Sequence, residues 1–387
     1  MHSLINIFCE VMNVSFWEKK SFLNKKQLVI AGCGIVGLNA AMHYKKINPK
    51  NEVIVIDSGV IPQGASTKNA GFACIGSAGE LLSDLKKSNE DAVFGLVERR
   101  KKGLDLLRKI LGDQHIDYQH LGGYELFDDE LKFKEVFDQL DYINKGLSTI
   151  TGVNETFTVV KKHEKFGFKG ILHIIKNSCE GQIDTGKMMR KLMQKATESG
   201  VQLLMGSKIQ HIIQHESETG VILEDGSRIM CEQLLVCTNG FAKQLIPELD
   251  VKPARAQVLV TSPIKDLSVE GCFHFDEGYY YFRNIDNRIL LGGGRNLDFI
   301  GETTTEFNNT TLIVDRLKQM LEEMIIPGKS YHIESIWSGI MGMGEQKTPI
   351  VKQVAPNIFC AVRLGGMGVA IGSLVGIEAV ELMMENR

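Results

Sequence analysis

No run of apolar residues in this 387-residue chain approaches the length a membrane-spanning helix needs, so no such helix is expected. Excess positive charge is missing as well. The 44 Lys and Arg residues against 47 Asp and Glu leave a formal charge of −3, which argues against non-specific nucleic-acid binding and against a polybasic membrane anchor. The eight cysteines are scattered, with no CxxC pair and no Cys/His cluster at metal spacing. No metal site is therefore expected, and the thiols fit a reducing cytoplasm. Neither an internal repeat nor a compositionally disordered stretch is evident. The first ten residues lack a basic region and Glu10 cuts their apolar run, so they make a poor signal peptide. Residues 1–24 read as an N-terminal extension, with Met12 an alternative start and Trp17 expected to pack on the domain surface.

What is present begins with an ordinary globular balance, 43% apolar and 24% charged, in a chain long enough for two domains or one large one with an insertion. The strongest local signal is Gln27–Tyr44. An apolar strand, Leu28–Ala31, enters Gly32-Cys-Gly34-Ile35-Val36-Gly37 and then a helix. Gly32 permits the tight turn, Gly34 lets the backbone approach a pyrophosphate, and Gly37 lets the helix pack close to the strand. The helix start offers free N–H groups and a positive dipole end to phosphates. A second strand, 52–56, ends at Asp57 and Ser58, where a carboxylate suits ribose hydroxyls.

Further along, 64–73 reads as a small, polar, ligand-facing loop and 80–111 as helix. A strand at 122–127 and a helix near 130–148 follow, then a strand-rich 151–180 and a helix capped by Asp184 or Thr185 and ending at Gly200. Strands follow at 201–205, 208–213, 221–223 and 233–237, with Asp225-Gly226 a hairpin turn. Residues 256–294 look like antiparallel sheet, 305–325 helix, and the tail a strand entering a glycine-rich turn and a last helix.

Three more stretches resemble Gly32–Gly37 in offering small residues and bare backbone at an element end: Ser66–Gly71, Thr238–Gly240 and Gly365–Gly368. NAD usually needs only the first. An extended ligand clamped from several strand ends points to FAD. Ser66 and Thr67 can donate to a pyrophosphate, Asn69 can fix its loop, and Ala70 and Gly71 leave room for a ring system. The turn at Gly365, Gly366, Met367 and Gly368 opens a helix whose start can stabilise negative charge on a reduced flavin.

The order and spacing of VIAGCGIVGLNAA, GASTKNAGF, EGQID, LLVCTNGFA, KPARAQ, YYYFRNIDNRILLGGG, IWSGIMG and LGGMGV carry a resemblance. From about residue 28 onward the chain resembles the FAD-dependent oxidoreductases typified by D-amino-acid oxidase, glycine oxidase and sarcosine oxidase, particularly the branch similar to gamma-glutamylputrescine oxidase. The resemblance implies an α/β fold, α+β overall. A discontinuous Rossmann-like FAD-binding domain would span 25–85, 181–246 and 332–387, and a mainly antiparallel substrate domain 86–180 and 247–331. It implies that Gly32, Gly34, Gly37 and Asp57 hold the ADP half and that Ser66, Thr67, Asn69, Ala70 and Gly71 line pyrophosphate and flavin. Ile209 would meet the adenine, Thr238 and Gly240 would flank the cofactor, and Gly366, Met367 and Gly368 would sit at the pyrimidine end. The reaction implied is oxidation of a C–N bond of a small-molecule amine or amino acid, with hydride passing to flavin N5 and O₂ or another acceptor taking the electrons.

Three departures bear on that expectation. The segment Trp337–Gly344 has no cysteine, so FAD is expected to be non-covalent. It has no carboxylate-binding Arg either, with Met341 or its neighbours in that place, and Arg363 stands where the family usually has Gly. Hydride transfer from a neutral amine needs orientation more than a dedicated base. Period two on strand 279–283 puts Tyr279, Tyr281 and Arg283 on one face, where hydroxyls and a guanidinium suit an anionic substrate. Arg363 is a candidate for a substrate carboxylate or reduced flavin, the alternative being an ion pair between domains. Arg255 and Gln257 read as domain ties, and a lone His274 as structural. A 2-hydroxyacid or glycerol-phosphate type dehydrogenase, a tRNA-modifying flavoprotein and a non-catalytic FAD-binding protein remain open alternatives.

Overall fold

The computed structural model describes residues 14–214 and 219–386. The expected alternative start at Met12 and most of the extension therefore lie outside the described residues. Two large sheets organise the chain. In the first, the strand Lys26–Ala31 lies between Val53–Ile56 and Arg228–Val236, all parallel, with Gln202–Leu204 and Ile358–Val362 extending it in parallel on either side. The hairpin Thr219–Leu223/Arg228–Val236, turning at Asp225-Gly226, and the strand Ile209–Gln214 branch from it.

A parallel sheet covered on both faces needs apolar residues at consecutive positions. Here Leu28, Ile30, Val55 and Leu235 face one core and Val29, Ile54, Ile56 and Leu234 the other. The first core is roofed by helices Ile35–Ile47, Thr185–Glu198 and Gly368–Glu385. The last is apolar nearly all round, as a helix buried among others must be. It crosses Ile35–Ile47 at glycines: a Cβ on Gly376 would lie 2.6 Å from the Val36 carbonyl oxygen.

The second sheet runs Ile333–Met343, Lys252–Thr261, Arg288–Gly293, Tyr280–Ile285, Cys272–Phe275, Gly123–Phe127, His173–Asn177 and Phe157–Val159. All its pairings are antiparallel except that of Cys272–Phe275 with Gly123–Phe127. Tyr280 and Phe282 point into a core with Phe273, Leu291 and the helix Thr311–Met320, where Phe273 and Phe282 stack at 4.9 Å. Each buried ring of this kind is worth about 1.5–3 kcal/mol. Tyr281 points the other way, toward Ala70, Phe72 and Val258, so the two sheets meet over the Ser66–Gly71 stretch.

Several expected boundaries move. The helix expected over 80–111 is two, Ala78–Leu85 and Glu90–Leu111, because Asn89 caps the second by accepting from the Ala92 N–H. The helix near 130–148 is likewise two, Glu130–Phe137 and Leu140–Thr151. Asp184 is the N-cap of its helix. The segment from 332 on is expected with the nucleotide-binding part, but Ile333–Met343 forms an edge strand of the second sheet paired along Lys252–Thr261. Leu104, Leu107 and Leu111, expected with the substrate part, pack in the first sheet's core. Trp17 is 68% exposed, with Phe16 edge-on beside it, rather than packed on the domain surface. Among the described residues no helix is long and apolar enough to cross a membrane.

Candidate functional site

The four glycine-rich stretches come from strand ends and helix starts far apart in the chain, and all four reach one cavity of about 540 Å³. Gly32, Gly34, Ile35, Val36, Asp57, Ser58, Ser66, Asn69, Ala70, Ile209, Thr238, Gly365, Gly366, Met367 and Gly368 line it. Gly37, Thr67, Gly71 and Gly240 do not; they hold the walls in place. A Cβ on Gly37 would fall 2.1 Å from the Gly32 carbonyl oxygen, and one on Gly240 would fall 2.6 Å from that of Met341. Gly71, at φ +75°, leaves no room for a side chain beside the Ile183 carbonyl. The Thr67 hydroxyl, expected to face a pyrophosphate, donates to the Pro62 carbonyl 2.5 Å away. A second depression, about 490 Å³ beside Asp105 and Gly112, opens on the outer surface, and its Arg108 is spent on Asp113.

The polar groups on the cavity wall are pre-set. Ser66 Oγ accepts from the Ile35 N–H at 3.0 Å and keeps its own proton to donate. Gly34 is the N-cap of Ile35–Ile47 and supplies no side-chain cap, so Ser66 takes the first N–H of that helix and the N–H groups after it stay open toward the cavity. Asp57 accepts from the Cys33 N–H at 2.9 Å and the Gly59 N–H at 3.1 Å. Asn69 donates to the Ser66 carbonyl and accepts from the Gly71 N–H and the Thr185 hydroxyl, which fixes the loop. Thr238 Oγ1 is buried on the wall without a partner. Asn239, at φ +46°, accepts from the N–H groups of Arg363 and Leu364 and ties that stretch to the Gly365–Gly368 turn. An orphaned hydroxyl, a helix start capped only at its first N–H and a backbone bare of Cβ atoms fit a phosphorylated dinucleotide.

The substrate-side wall is one cross-strand row of the second sheet. Register aligns Glu125, His274, Tyr281, Gly292, Val258 and Trp337. Tyr281 lies across Gly292, where a Cβ would meet its ring at 2.6 Å, and Phe72 packs edge-on against both Tyr281 and His274. Burial pushes the Tyr281 phenol up to about 12, so it stays protonated and able to donate. Tyr279 lines the outer cavity and is 37% exposed. Met341 and Met343, from the segment Trp337–Gly344 that carries no Arg, line the wall.

Two expected substrate contacts are corrected. Arg283 shares the face of Tyr281 but is buried below the wall. It donates to the carbonyls of Ala70 at 2.6 Å and Ile183 at 3.0 Å. Its five N–H donors in a fixed fork suit two carbonyls of converging loops better than a ligand already walled off. Arg363, held at φ +66°, turns its side chain away from the cavity to Asp250, at 2.5 Å, and to the Thr348 carbonyl. Arg255 and Gln257 both engage the buried Glu302 on the second sheet's side rather than tying the two sheets.

Sequence reasoning missed the charged end of the cavity. Glu80, His274 and Lys347 line it, with Glu125 and Glu180 buried behind. Burial pushes Glu80 up, but Arg100 and Lys347 outweigh it and hold the carboxyl at about 2. Burial raises Glu125 to about 7 despite hydrogen bonds from the Gly79 N–H and the Ser77 hydroxyl. Glu180 opens EGQID, whose sequence reads as the approach to a helix capped at Asp184 and gives the glutamate no role. Arg295 also lines the cavity; among the described residues its guanidinium forms no ion pair and lies over the Phe299 ring at 4.8 Å.

Comparison with known proteins gives this geometry a family. The model of the family described as FAD dependent oxidoreductase matches residues 27–382, and the chain belongs to that family. The chain is 19% identical over 370 residues to the probable oxidoreductase OrdL of Haemophilus influenzae, covering 92% of this chain and 82% of that one. Its fold is similar to L-proline dehydrogenase from P. horikoshii, with TM-score 0.76, 18% identity and 94% of each chain covered. It is also similar to glycine oxidase from Geobacillus kaustophilus, with TM-score 0.74, 17% identity and coverage of 94% and 95%. The protein is thus an FAD-dependent oxidoreductase.

Proposed function

We propose that this enzyme oxidises the CH–NH bond of a small amine or amino acid, using FAD held without a covalent link. The observation that supports the amine reading is the charged end of the cavity. Three acidic side chains, Glu80, Glu125 and Glu180, converge on His274 beside the aromatic wall of Phe72 and Tyr281, with only Glu80 paired, among the described residues, to the cations Arg100 and Lys347. Such an end favours a group that carries positive charge before or during oxidation, as an amine nitrogen does and a hydroxyl does not.

FAD, when bound, supplies the acceptor for the hydride. The chain's residues do the rest. Gly32, Gly34, Ile35, Ser66, Asn69, Thr238 and the Gly365–Gly368 turn would hold the cofactor. Tyr281, Phe72, Val258 and Met341 exclude water and set the substrate's orientation. Arg295, on the wall and without an ion pair among the described residues, receives a substrate carboxylate. The cavity-lining thiols of Cys74 and Cys237 are both raised by burial, which disfavours the thiolate a covalent link needs. The substrates in the names of L-proline dehydrogenase and glycine oxidase support an amino acid, and electrons then pass to O₂ or another acceptor.

Product analysis tests this. Oxidation of CH–NH followed by hydrolysis gives carbonyl and amine in equal amounts, as two molecules from an acyclic substrate and as one ring-opened amino-carbonyl compound from a cyclic one, which hydrazone trapping and amine quantitation detect. Turnover of 2-hydroxyacids with no amine accepted would overturn the proposal.

A further inference from the structure

His274 and Glu180 form a pair that orientation of the substrate does not explain. His274 stands in the cross-strand row between Glu125 and Tyr281, with its ring against the edge of Phe72. Its Nε2 is buried without a hydrogen-bond partner and lies 3.6 Å from Glu180 Oε2, itself buried and unpartnered. Glu180 cannot swing away, because its other oxygen accepts from the N–H groups of Ile75 at 2.8 Å and Gly76 at 2.9 Å. A fully buried carboxylate is thus clamped by backbone with its free oxygen aimed at an imidazole that lines the cavity. A carboxylate behind a histidine orients the ring and stabilises its protonated form.

We propose that His274, backed by Glu180, takes the proton from the substrate's ammonium group before oxidation. The inference rests on the amine reading above. One substrate N–H bond breaks, one imidazole N–H bond forms, and no electron moves. The freed nitrogen lone pair then makes the C=N bond of the product as hydride leaves the adjacent carbon to the flavin, and the imidazolium proton afterwards returns to solvent.

The groups facing His274 fix the direction of its pH response. Glu180 is closest, Glu125 is on the neighbouring strand, and Glu80 comes from Ala78–Leu85, partly balanced by Arg100 and Lys347. Cys74 and Tyr281 complete the surroundings. Burial pulls the imidazole down, but the carboxylates outweigh it and raise it above the ordinary histidine value. Below that pKa the ring already holds a proton and cannot accept one; above it the ring is competent.

The test is anaerobic flavin reduction by stopped flow over a range of pH, on holoenzyme, with benzylamine, putrescine, L-proline and N-methylglycine as probes. Wild type should gain rate as pH rises through the His274 pKa. His274→Gln should lose that limb, falling about 100-fold at neutral pH and approaching wild type where the probe amine is itself deprotonated. Glu180→Gln keeps an acceptor for Ile75 and Gly76 but removes the charge, so the limb should move to lower pH. Independently of turnover, the His274 imidazole NMR signal should titrate above an ordinary histidine and drop in Glu180→Gln. A wild-type pH profile in His274→Gln, or equal loss at every pH with intact flavin spectrum and melting temperature, overturns the pair's role while leaving the amine reading standing. No reduction of wild type by these probes or by any member of a wider panel of amines and D- and L-amino acids removes the amine reading and this inference with it. Stoichiometric metal lost on Cys74→Ser would make the three donors, which lie within 4.8 Å of one another, a metal site and overturn the proton role.

Discussion

Replacing Arg283 by Met separates an anchor from a substrate contact. The guanidinium is 4% exposed and spans the carbonyls of Ala70 and Ile183, which belong to the loop under the cavity and to the strand-to-helix turn beside it. Hydrogen bonds from a charged donor contribute about 1.5–3 kcal/mol each, so two give about 3–6 kcal/mol. Removing a buried charge that forms no ion pair among the described residues returns part of that, which leaves about 2–4 kcal/mol. If the loss falls on the ordered form of the Ala70 loop, about 3 kcal/mol corresponds to a weakening of FAD binding of about 100-fold. Arg283→Lys, which can reach one carbonyl as a point donor, should lie between. The assay is titration of apoprotein with FAD by fluorescence quenching, with KM measured at saturating FAD. An FAD affinity within threefold of wild type together with a large rise in KM would refute the anchor and restore a substrate role.

Gly37→Ala should abolish FAD binding or soluble expression, because its Cβ would lie 2.1 Å from the Gly32 carbonyl oxygen; flavin content after purification checks this. Arg295→Met should raise KM by about 10- to 100-fold for carboxylate-bearing substrates and leave carboxylate-free amines nearly unchanged, as steady-state kinetics on both classes would reveal. Glu125, raised to about 7 by burial, binds more protons folded than unfolded between about pH 4.5 and 7, so it removes stability as pH rises through that window. Glu125→Gln should flatten this slope, with a gain up to about 3 kcal/mol at pH 7 and little at pH 4.5, readable by denaturant melts at each pH.

Local pattern carried the parts of this fold that are local. The strand-glycine-helix signal at 28–44 needs only neighbours in sequence, as does the alternation that sends Tyr281 and Phe282 to opposite faces. The roles of the arginines were not legible because their partners are remote. Arg283 meets a carbonyl 213 residues away, and Arg363 meets Asp250 at a separation of 113. The charged end of the cavity was hidden for the same reason. His274 acquires Glu125 through a parallel pairing of Cys272–Phe275 with Gly123–Phe127, the one parallel pair in that sheet, and Glu180 by the chain's return through Gly181–Gln182. Read alone, a histidine on a strand gives no sign of three carboxylates around it. The strand Ile333–Met343 lacks a clear sequence signal because Gly339 and Gly342 interrupt its alternation, yet those glycines let Lys68 and Asn239 approach it, and Gly344 just beyond leaves room for Arg363.

The central claim is that this FAD-dependent oxidoreductase takes its electrons from a CH–NH bond. Anaerobic mixing of the FAD-loaded protein with a panel of amines, D- and L-amino acids and 2-hydroxyacids tests it directly through loss of flavin absorbance. The account predicts bleaching by at least one amine or amino acid and none by the matching hydroxyacids. Bleaching by hydroxyacids alone, or a flavin that stays oxidised with every compound while dithionite still reduces it, would contradict it.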